Sequence, residues 1–250
     1  MCTVVILRRP DDPWPLLLAA NRDEMRDRPW QGPARHWPDR AHVTGGLDTL
    51  AGGTWMGVND DGLVACVLNR MNTLGPDPDK RSRGELPLEA LDHAEAAIAA
   101  EALSHIDPAA YRPFNLVVAD ALTAWWLRND GNRVERFEIE PGMSMITAHD
   151  LNDTAGSARI RKHLPRFRAA PVPVPDADDG AGDWFGWAAL MADGSGKRDE
   201  TMCVDLDTGF GTVSSSLVAI AAPQHPPRPP IWLFADGSPD KASYQQVFTI

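Results

Sequence analysis

The residue with the clearest chemical potential is Cys2, which directly follows Met1. We expect Met1 to be removed because the next side chain is small, and removal would place a thiol and a free α-amine on one residue. The reference pKa of an α-amine is about 7.7–8.0 and that of a cysteine thiol about 8.5. Cys2 would then combine a nucleophile with a base, as in N-terminal nucleophile enzymes. The alternative is that Cys2 packs as a small apolar residue.

A second group with chemical potential is Asn21-Arg22-Asp23-Glu24, here called the polar tetrad, which follows the apolar run Leu16–Ala20. If residues 2–7 and 16–21 pair as a β-hairpin, the tetrad reaches the start of the chain. A carboxylate there would orient the α-ammonium of Cys2, and a guanidinium would favour its thiolate. The alternative is a solvated strand end with local ion pairs.

Hairpins dominate the elements that would position these residues. Residues 84–106 repeat apolar side chains every three or four positions, which predicts an amphipathic helix. Further helices are expected at 157–168 and 184–191, whereas residues 25–50 and 169–182 read as irregular connections. Strands separated by turns argue for antiparallel sheets packed with helices in one domain, 1–250. The predicted strands are 2–7, 16–21, 54–59, 63–69, 114–120, 123–128, 134–139, 143–148, 201–205, 212–220 and 231–235.

The composition excludes several function classes. The 250-residue chain has a formal charge of −11, which is the wrong sign for binding nucleic acid phosphates or anionic membranes. The basic residues at 159–168 are expected on a solvated helix face, and the alternative is a local basic patch that binds a ligand. The three cysteines are widely spaced, which argues against a disulfide framework or a zinc site and fits a cytoplasmic location. No apolar run suits a transmembrane segment, and no histidine spacing suits a metal site.

Several blocks of the sequence resemble the NRDE family, also called the transport and Golgi organisation family. The first block is the start Met-Cys-Thr-Val-Val-Ile together with Ala19–Glu24. The other blocks follow in the family order and include Gly45–Asp48, Gly52–Gly57, Arg81–Leu86, Phe114–Asp120 and Gly209–Thr212. The resemblance implies an α+β fold of the Ntn-hydrolase type, a four-layer αββα sandwich of two antiparallel sheets flanked by helices.

The same resemblance implies the site residues. The family fold is similar to that of choloylglycine hydrolase and penicillin V acylase, in which an Arg-Asn-x-Asp segment assists the N-terminal cysteine. Asn21 and Asp23 match that segment, but Ala20 stands at the arginine position and an arginine follows as Arg22. The implied catalytic residues are therefore Cys2, Asn21, Arg22 and Asp23.

A second departure concerns the oxyanion hole. In relatives an asparagine from a later strand end donates a side-chain amide, and here Ala148 stands near that position. His149 or Asn152 would supply a replacement donor, and Trp55 would line the substrate pocket. For His149 the alternative is a loop histidine bonded to the backbone.

Three functions remain open from the sequence. The first is a cysteine amidohydrolase or acyltransferase acting on a small-molecule amide or acyl thioester without a cofactor. The second, implied by the resemblance, is a non-catalytic carrier of haem, acyl-CoA or lipid, with Cys2 as a thiolate ligand if haem is bound. The third is an interaction protein with a vestigial site, in which Met1 is retained.

Overall fold

Two antiparallel β-sheets pack face to face in the computed structural model, which describes residues 2–75, 77–176, 183–224 and 228–247. The first sheet has the order β10-β1-β2-β11-β12-β13. Its strands are β1 (Thr3–Arg8), β2 (Leu16–Met25), β10 (Gly142–Ile146), β11 (Phe210–Ile220), β12 (Ile231–Ala235) and β13 (Tyr244–Gln246).

The second sheet runs in simple chain order from β3 to β9. Each strand is therefore bonded to its sequence neighbour, as the many hairpin signals predict. Its strands are β3 (Trp30–Ala34), β4 (Val43–Asp48), β5 (Met56–Asn59), β6 (Val64–Asn69), β7 (Phe114–Ala119), β8 (Ala124–Asn129) and β9 (Val134–Glu138).

Helices cover the outer face of each sheet. Helices α1 (Glu85–Leu91) and α2 (Ala96–Ser104) pack on the second sheet, and α3 (Ala158–Ala169) and α4 (Phe185–Met191) pack on the first. Both faces of β1 and β2 are thus buried, which explains why their sequences are continuously apolar. The predicted four-layer αββα architecture is confirmed.

The register of β2 decides where the polar tetrad lies. Thr3 of β1 is paired with Asn21, and on the other side of β2 Thr212 of β11 is paired with Asp23. The prediction that this strand ends at residue 21 is wrong, because pairing with β11 extends it to Met25. The tetrad is therefore inside a sheet, where successive side chains point to opposite faces.

The single helix expected over residues 84–106 is also wrong, since the structure has α1 and α2 with a break between them. The side-chain amide of Asn59 donates to the carbonyl oxygens of Leu91 and His93 at 3.0 and 2.7 Å. The carboxylate of Asp120 accepts from the backbone N–H of Ala96 at 2.7 Å. Backbone groups that would continue the helix are thus bonded to side chains of the second sheet.

Other differences concern segments without strong apolar periodicity. Residues 25–50, expected to be irregular, contain β3 and β4, and residues 201–205 do not form the expected strand. The expected helices at 157–168 and 184–191 are confirmed, whereas part of the 169–182 connection lies outside the described residues. No helix within the described ranges has the length and apolar character needed to cross a bilayer.

Candidate functional site

Cys2 lies immediately before β1, against the polar tetrad of β2. Its sulfur accepts a hydrogen bond from the backbone N–H of Asp23 at 3.4 Å and lies 3.6 Å from the carbonyl oxygen of the same residue, to which the thiol donates. Cys2 is partly buried and packs on the core between the two sheets. The hairpin therefore places the thiol beside the tetrad, as the pairing of the two runs predicts.

Burial controls the ionisation of this thiol. It raises the pKa of Cys2 above the ordinary value, and the negative charge of Asp23 raises it further, while Arg22 acts in the opposite direction. The thiol is therefore protonated near neutral pH, and nucleophilic attack would require a base.

Arg22 points between the sheets, on the same face as Cys2. Its guanidinium carbon lies 4.1 Å from the centroid of the Trp55 ring and 5.7 Å from that of Trp30. Its Nη2 atom is 3.7 Å from the carboxylate of Asp48, whereas Nη1 is buried without a hydrogen-bond partner among the described residues. Arg22 is only 6% exposed, and burial lowers its pKa. The structure thus holds an unused N–H donor close to the thiol.

Asp23 points to the opposite face, towards α3. One oxygen of its carboxylate accepts from the hydroxyl of Thr212 at 2.7 Å, and the other lies 3.3 Å from Nη1 of Arg159. Arg159 also donates to the hydroxyl of Thr3 at 2.8 Å. Arg159 is therefore buried against β1 and β2, which corrects the expectation that all the basic residues of this helix are solvated.

A recess of about 230 Å³ opens from Cys2 towards the surface, and we call it the outer recess. Arg83 donates to the hydroxyl of Thr73 at 3.0 Å and to the carbonyl of Pro113 at 3.1 Å, and it has no carboxylate within ion-pair distance among the described residues. Burial, with the nearby charge of Arg112, lowers the pKa of Arg83 to about 10. The charged lining consists of Arg22, Arg28, Lys80, Arg81, Arg83 and Arg112 with Asp23, Glu24, Asp48 and Asp77.

A much smaller cavity, here called the inner chamber, lies between the sheets on the other side of the thiol. Its open volume is about 20 Å³. The two cavities share Cys2, Arg22, Trp55 and Val67, so the thiol is at their junction. The remaining lining residues are Thr3, Val4, Ala20, Asn21, Met56, Cys66, Leu68, Ser214 and Ser216, of which the apolar ones form most of the wall.

Comparison with known proteins identifies the family. The family model described as Transport and Golgi organisation 2 matches residues 1–169. The chain belongs to this family. Homologues from Mus musculus and Homo sapiens, named Transport and Golgi organization 2 homolog and Transport and Golgi organization protein 2 homolog, are 33% and 34% identical over 112 residues. These alignments cover 44% of this chain but only 40% of each homologue.

Solved structures show the fold of this Transport and Golgi organisation 2 family member. The Caenorhabditis elegans N-acylethanolamine-hydrolyzing acid amidase ortholog has a TM-score of 0.59 at 13% identity, covering 86% of this chain and 92% of its own. Penicillin V acylase from Agrobacterium tumefaciens has 0.58 at 13% identity, covering 94% and 83%. The conjugated bile acid hydrolase from Clostridium perfringens has 0.57 at 10% identity, covering 100% and 97%. The fold is therefore Ntn-hydrolase-like.

Within this family member, three of the predicted site residues direct their side chains away from the thiol, although Asn21 is among the residues that line the inner chamber. The amide of Asn21 points to the helical face and donates to the carbonyls of Met191 and Met202 at 2.9 and 3.0 Å. Asn152 is bonded through its side chain to β10, accepting from the N–H of Met145 at 2.8 Å. His149 lies 3.8 Å from Asp153 and lines neither cavity.

Trp55 lines both cavities, and the outer recess is also lined by residues that the sequence did not single out. Asn69, at the end of β6, and Arg83 line the outer recess. Arg83 belongs to one of the ordered family blocks, and that membership is the available sequence signal. The backbone next to Arg83 lies in close contact with the backbone at Gly53. A Cβ on Gly53 would lie 2.5 Å from the backbone of Gly84, so glycine is required at position 53.

The described residues contain no group of three or more His, Cys, Asp or Glu side chains suited to a metal ion. The fit to haem is also poor. The outer recess is lined by no histidine or methionine among the described residues, and its volume is about 230 Å³. Cavities that enclose larger organic ligands typically measure about 300–1,000 Å³. Within the part of the chain that the structure describes, the outer recess thus offers a thiol, guanidinium groups and carboxylates rather than a haem-sized enclosure.

Proposed function

We propose that this protein is an N-terminal nucleophile hydrolase or acyltransferase that acts on an amide or acyl thioester through Cys2, after removal of Met1. One observation carries the proposal: Cys2 and Arg22 line the same pair of cavities, and Nη1 of Arg22 is a buried donor without a hydrogen-bond partner among the described residues. A nucleophile and a buried cationic donor at one junction are the two groups that attack on a carbonyl requires. The solved fold relatives, whose names describe an amidase, an acylase and a hydrolase, support this class of reaction.

In the proposed mechanism the α-amine of Cys2 accepts the thiol proton as the sulfur attacks the carbonyl carbon. A carbon–sulfur bond forms, and the negative charge on the carbonyl oxygen is stabilised by the N–H of Arg22. The bond to the leaving group then breaks, and the leaving group takes the proton from the ammonium. Water or a second acceptor later attacks the acyl-enzyme and releases Cys2. Asp23, anchored by Arg159 and Thr212, orients the α-amine.

The position of Arg22 supports its role as the oxyanion donor. Its guanidinium is held by Trp55 and Asp48 before substrate arrives, so little reorganisation is needed during the reaction. A preorganised donor of this kind contributes about 2.7–4 kcal/mol of transition-state stabilisation. We expect Arg22→Lys to retain the charge but to lower the acylation rate, because the planar fork that fits between the indole and the carboxylate is lost.

The experiment is covalent trapping. Protein produced with a free N-terminal Cys2 is incubated with fluorogenic N-acyl amides and aryl thioesters, and acyl-enzyme is measured by intact mass. We expect a single acyl adduct, absent in Cys2→Ala and in protein that retains Met1, but present in Cys203→Ala. Cys203 is the matched control, because it is a free cysteine that is hydrogen-bonded to Ser238 and lines neither cavity. Equal labelling of Cys2→Ala, or no adduct with any substrate, would contradict the proposal.

A second candidate is a non-catalytic carrier of acyl-CoA or lipid, and the six basic side chains of the outer recess favour an anionic ligand. It predicts saturable binding of acyl-CoA without turnover, reduced by Arg83→Met. A haem titration tests the version in which the carried ligand is haem. A Soret shift that is lost in Cys2→Ala would indicate ligation by the Cys2 thiolate. We also propose a cytoplasmic location, which the three free cysteines support.

A further inference from the structure

The inner chamber bears on which acyl group this site would accept. Cys2 separates two cavities of very different size and polarity, about 230 Å³ with a charged lining and about 20 Å³ with a mainly apolar lining. An acyl donor bound at the thiol must direct its acyl substituent and its leaving group in different directions from the carbonyl carbon. The two cavities offer these two directions.

The outer recess is a poor environment for an aliphatic acyl chain. Its walls include six basic residues together with Glu24, Asp48 and Asp77, and an alkyl chain would desolvate their charged groups without replacing their hydrogen bonds to water. A polar or anionic leaving group would instead gain interactions there, notably with Arg83, whose described partners are the hydroxyl of Thr73 and the carbonyl of Pro113. The charge distribution therefore directs the leaving group outwards.

The inner chamber suits a very small apolar group. A volume of about 20 Å³ is little more than the space of about 10–15 Å³ that a single water requires by the same measure. Its walls are rigid, because Val4, Met56, Cys66 and Leu68 belong to the core between the sheets. Longer chains would overpack this core.

We propose that the inner chamber is the acyl subsite and restricts the substrate to short acyl groups, acetyl or propionyl, carried on a polar leaving group. This inference rests on the proposed function, since it assigns a substrate class to the same thiol. The chemical step is unchanged: the sulfur of Cys2 replaces the leaving group on the carbonyl carbon, and the thiol proton passes through the α-amine to the leaving group.

Two residues set the size of the chamber and allow it to be altered. Met56 on β5 is buried at the chamber wall, and Ala20 on β2 lies on the same face as Arg22. We expect Met56→Ala to enlarge the chamber and Ala20→Val to fill it. Met56→Leu is the matched control, because it conserves volume. Met56→Val provides a milder enlargement if the alanine variant does not fold.

The test uses 4-nitrothiophenyl esters of acetate, propionate, butyrate and hexanoate, which share one leaving group. Acylation of free Cys2 is followed by intact mass and by thiophenolate release. Each rate is divided by the rate at which the same ester reacts with a small thiol in solution, which corrects for the intrinsic reactivity of the ester. We expect acetate and propionate to react at least about tenfold faster than hexanoate, a typical effect of pocket size. Met56→Ala should reduce this preference, Met56→Leu should retain it, and Ala20→Val should slow acetate.

The possible failures are distinguishable. If hexanoate acylates the native protein as fast as acetate, the inner chamber does not select the acyl group, although Cys2 remains a nucleophile and the proposed function stands. If no ester acylates free Cys2 while a small alkylating reagent does, the proposed function fails, and the inference fails with it. If Met56→Ala and Met56→Val both fold and leave the native preference unchanged, the acyl group occupies another site.

Discussion

The ion pair between Asp23 and Arg159 gives the sharpest quantitative prediction for the region behind Cys2. Their side chains are 0% and 3% exposed, and the closest atoms are 3.3 Å apart. Removing one member of such a pair costs about 3–5 kcal/mol where the other charge stays buried without compensation. We therefore expect Arg159→Met to lower the free energy of unfolding by up to that amount, because Asp23 would keep the hydrogen bond from Thr212 but lose the guanidinium.

Urea denaturation measures this effect. With a denaturant slope near about 3 kcal/mol per molar, the upper end for small proteins, the midpoint should fall by about 1–2 M. The double variant with Asp23→Asn should recover part of the loss, since the buried carboxylate charge is removed together with the guanidinium. Arg168→Met, an exposed change on the same helix, should stay within about 0.5 kcal/mol of the native protein. A loss below about 1 kcal/mol for Arg159→Met would refute the view that this pair anchors β2 to α3.

Three further predictions test other parts of the site and its support. Gly46→Ala would place a Cβ 2.2 Å from the Trp55 ring, so we expect a shift in indole fluorescence and slower acylation, whereas Gly32→Ala, whose Cβ has its nearest neighbour at 3.6 Å, should change neither. Asn21→Ala removes two buried hydrogen bonds, so urea titration should show a loss of about 2 kcal/mol in the free energy of unfolding. Burial lowers the pKa of His163 from 6.5 to about 4, so the folded state holds it neutral and unfolding takes up a proton between those values. The free energy of unfolding should therefore fall by up to about 3 kcal/mol as the pH drops from about 6.5 to about 4, and His163→Gln should flatten this dependence.

Each of these has a contrary outcome. Unchanged fluorescence in Gly46→Ala would mean that the indole does not rest on β4. Slower acylation in a stable Asn21→Ala protein would indicate that Asn21 contributes to the reaction at Cys2. A stability profile that is identical with and without His163 would show that its ring is not held neutral by its neighbours, which are the carbonyl of Glu200 at 2.7 Å and the guanidinium of Arg166 at 3.1 Å.

The sequence was sufficient to predict the architecture, the hairpin and the proximity of Cys2 to the polar tetrad. It was not sufficient to predict which tetrad side chains face the thiol. The orientation of the tetrad depends on whether β2 ends at residue 21 or continues. β2 continues because it pairs with β11, in which Thr212, the partner of Asp23, lies 189 residues further along the chain. Because alternation persists through Asp23, Arg22 shares a face with Cys2 while Asn21 and Asp23 do not.

Arg159 shows a different limit of sequence interpretation. The basic composition of its helix suggests a solvated face, yet Arg159 and His163 are four residues apart and lie on the buried side with Ile160, Leu164 and Phe167. Helical spacing alone would have grouped them. What spacing does not reveal is the carboxylate that compensates the arginine, because Asp23 comes from another layer of the fold.

The alanine at position 20 links the proposed chemistry to the proposed acyl size. The Arg-Asn-x-Asp segment with which residues 20–23 were compared begins with arginine, so the sequence alone suggests that Ala20 marks a missing catalytic group. On β2, however, Arg22 is on the same face, about 6.5–7 Å further along, and it lines the same cavities as the thiol. Arg22 therefore supplies a positive charge on this face, and Ala20 contributes only a methyl group to the wall of the inner chamber. Placing arginine back at position 20 would put a second cation beside Arg22 and fill that chamber. Ala20→Arg should therefore abolish acylation by short thioesters rather than improve it, and a faster reaction would show that Arg22 does not replace the missing group.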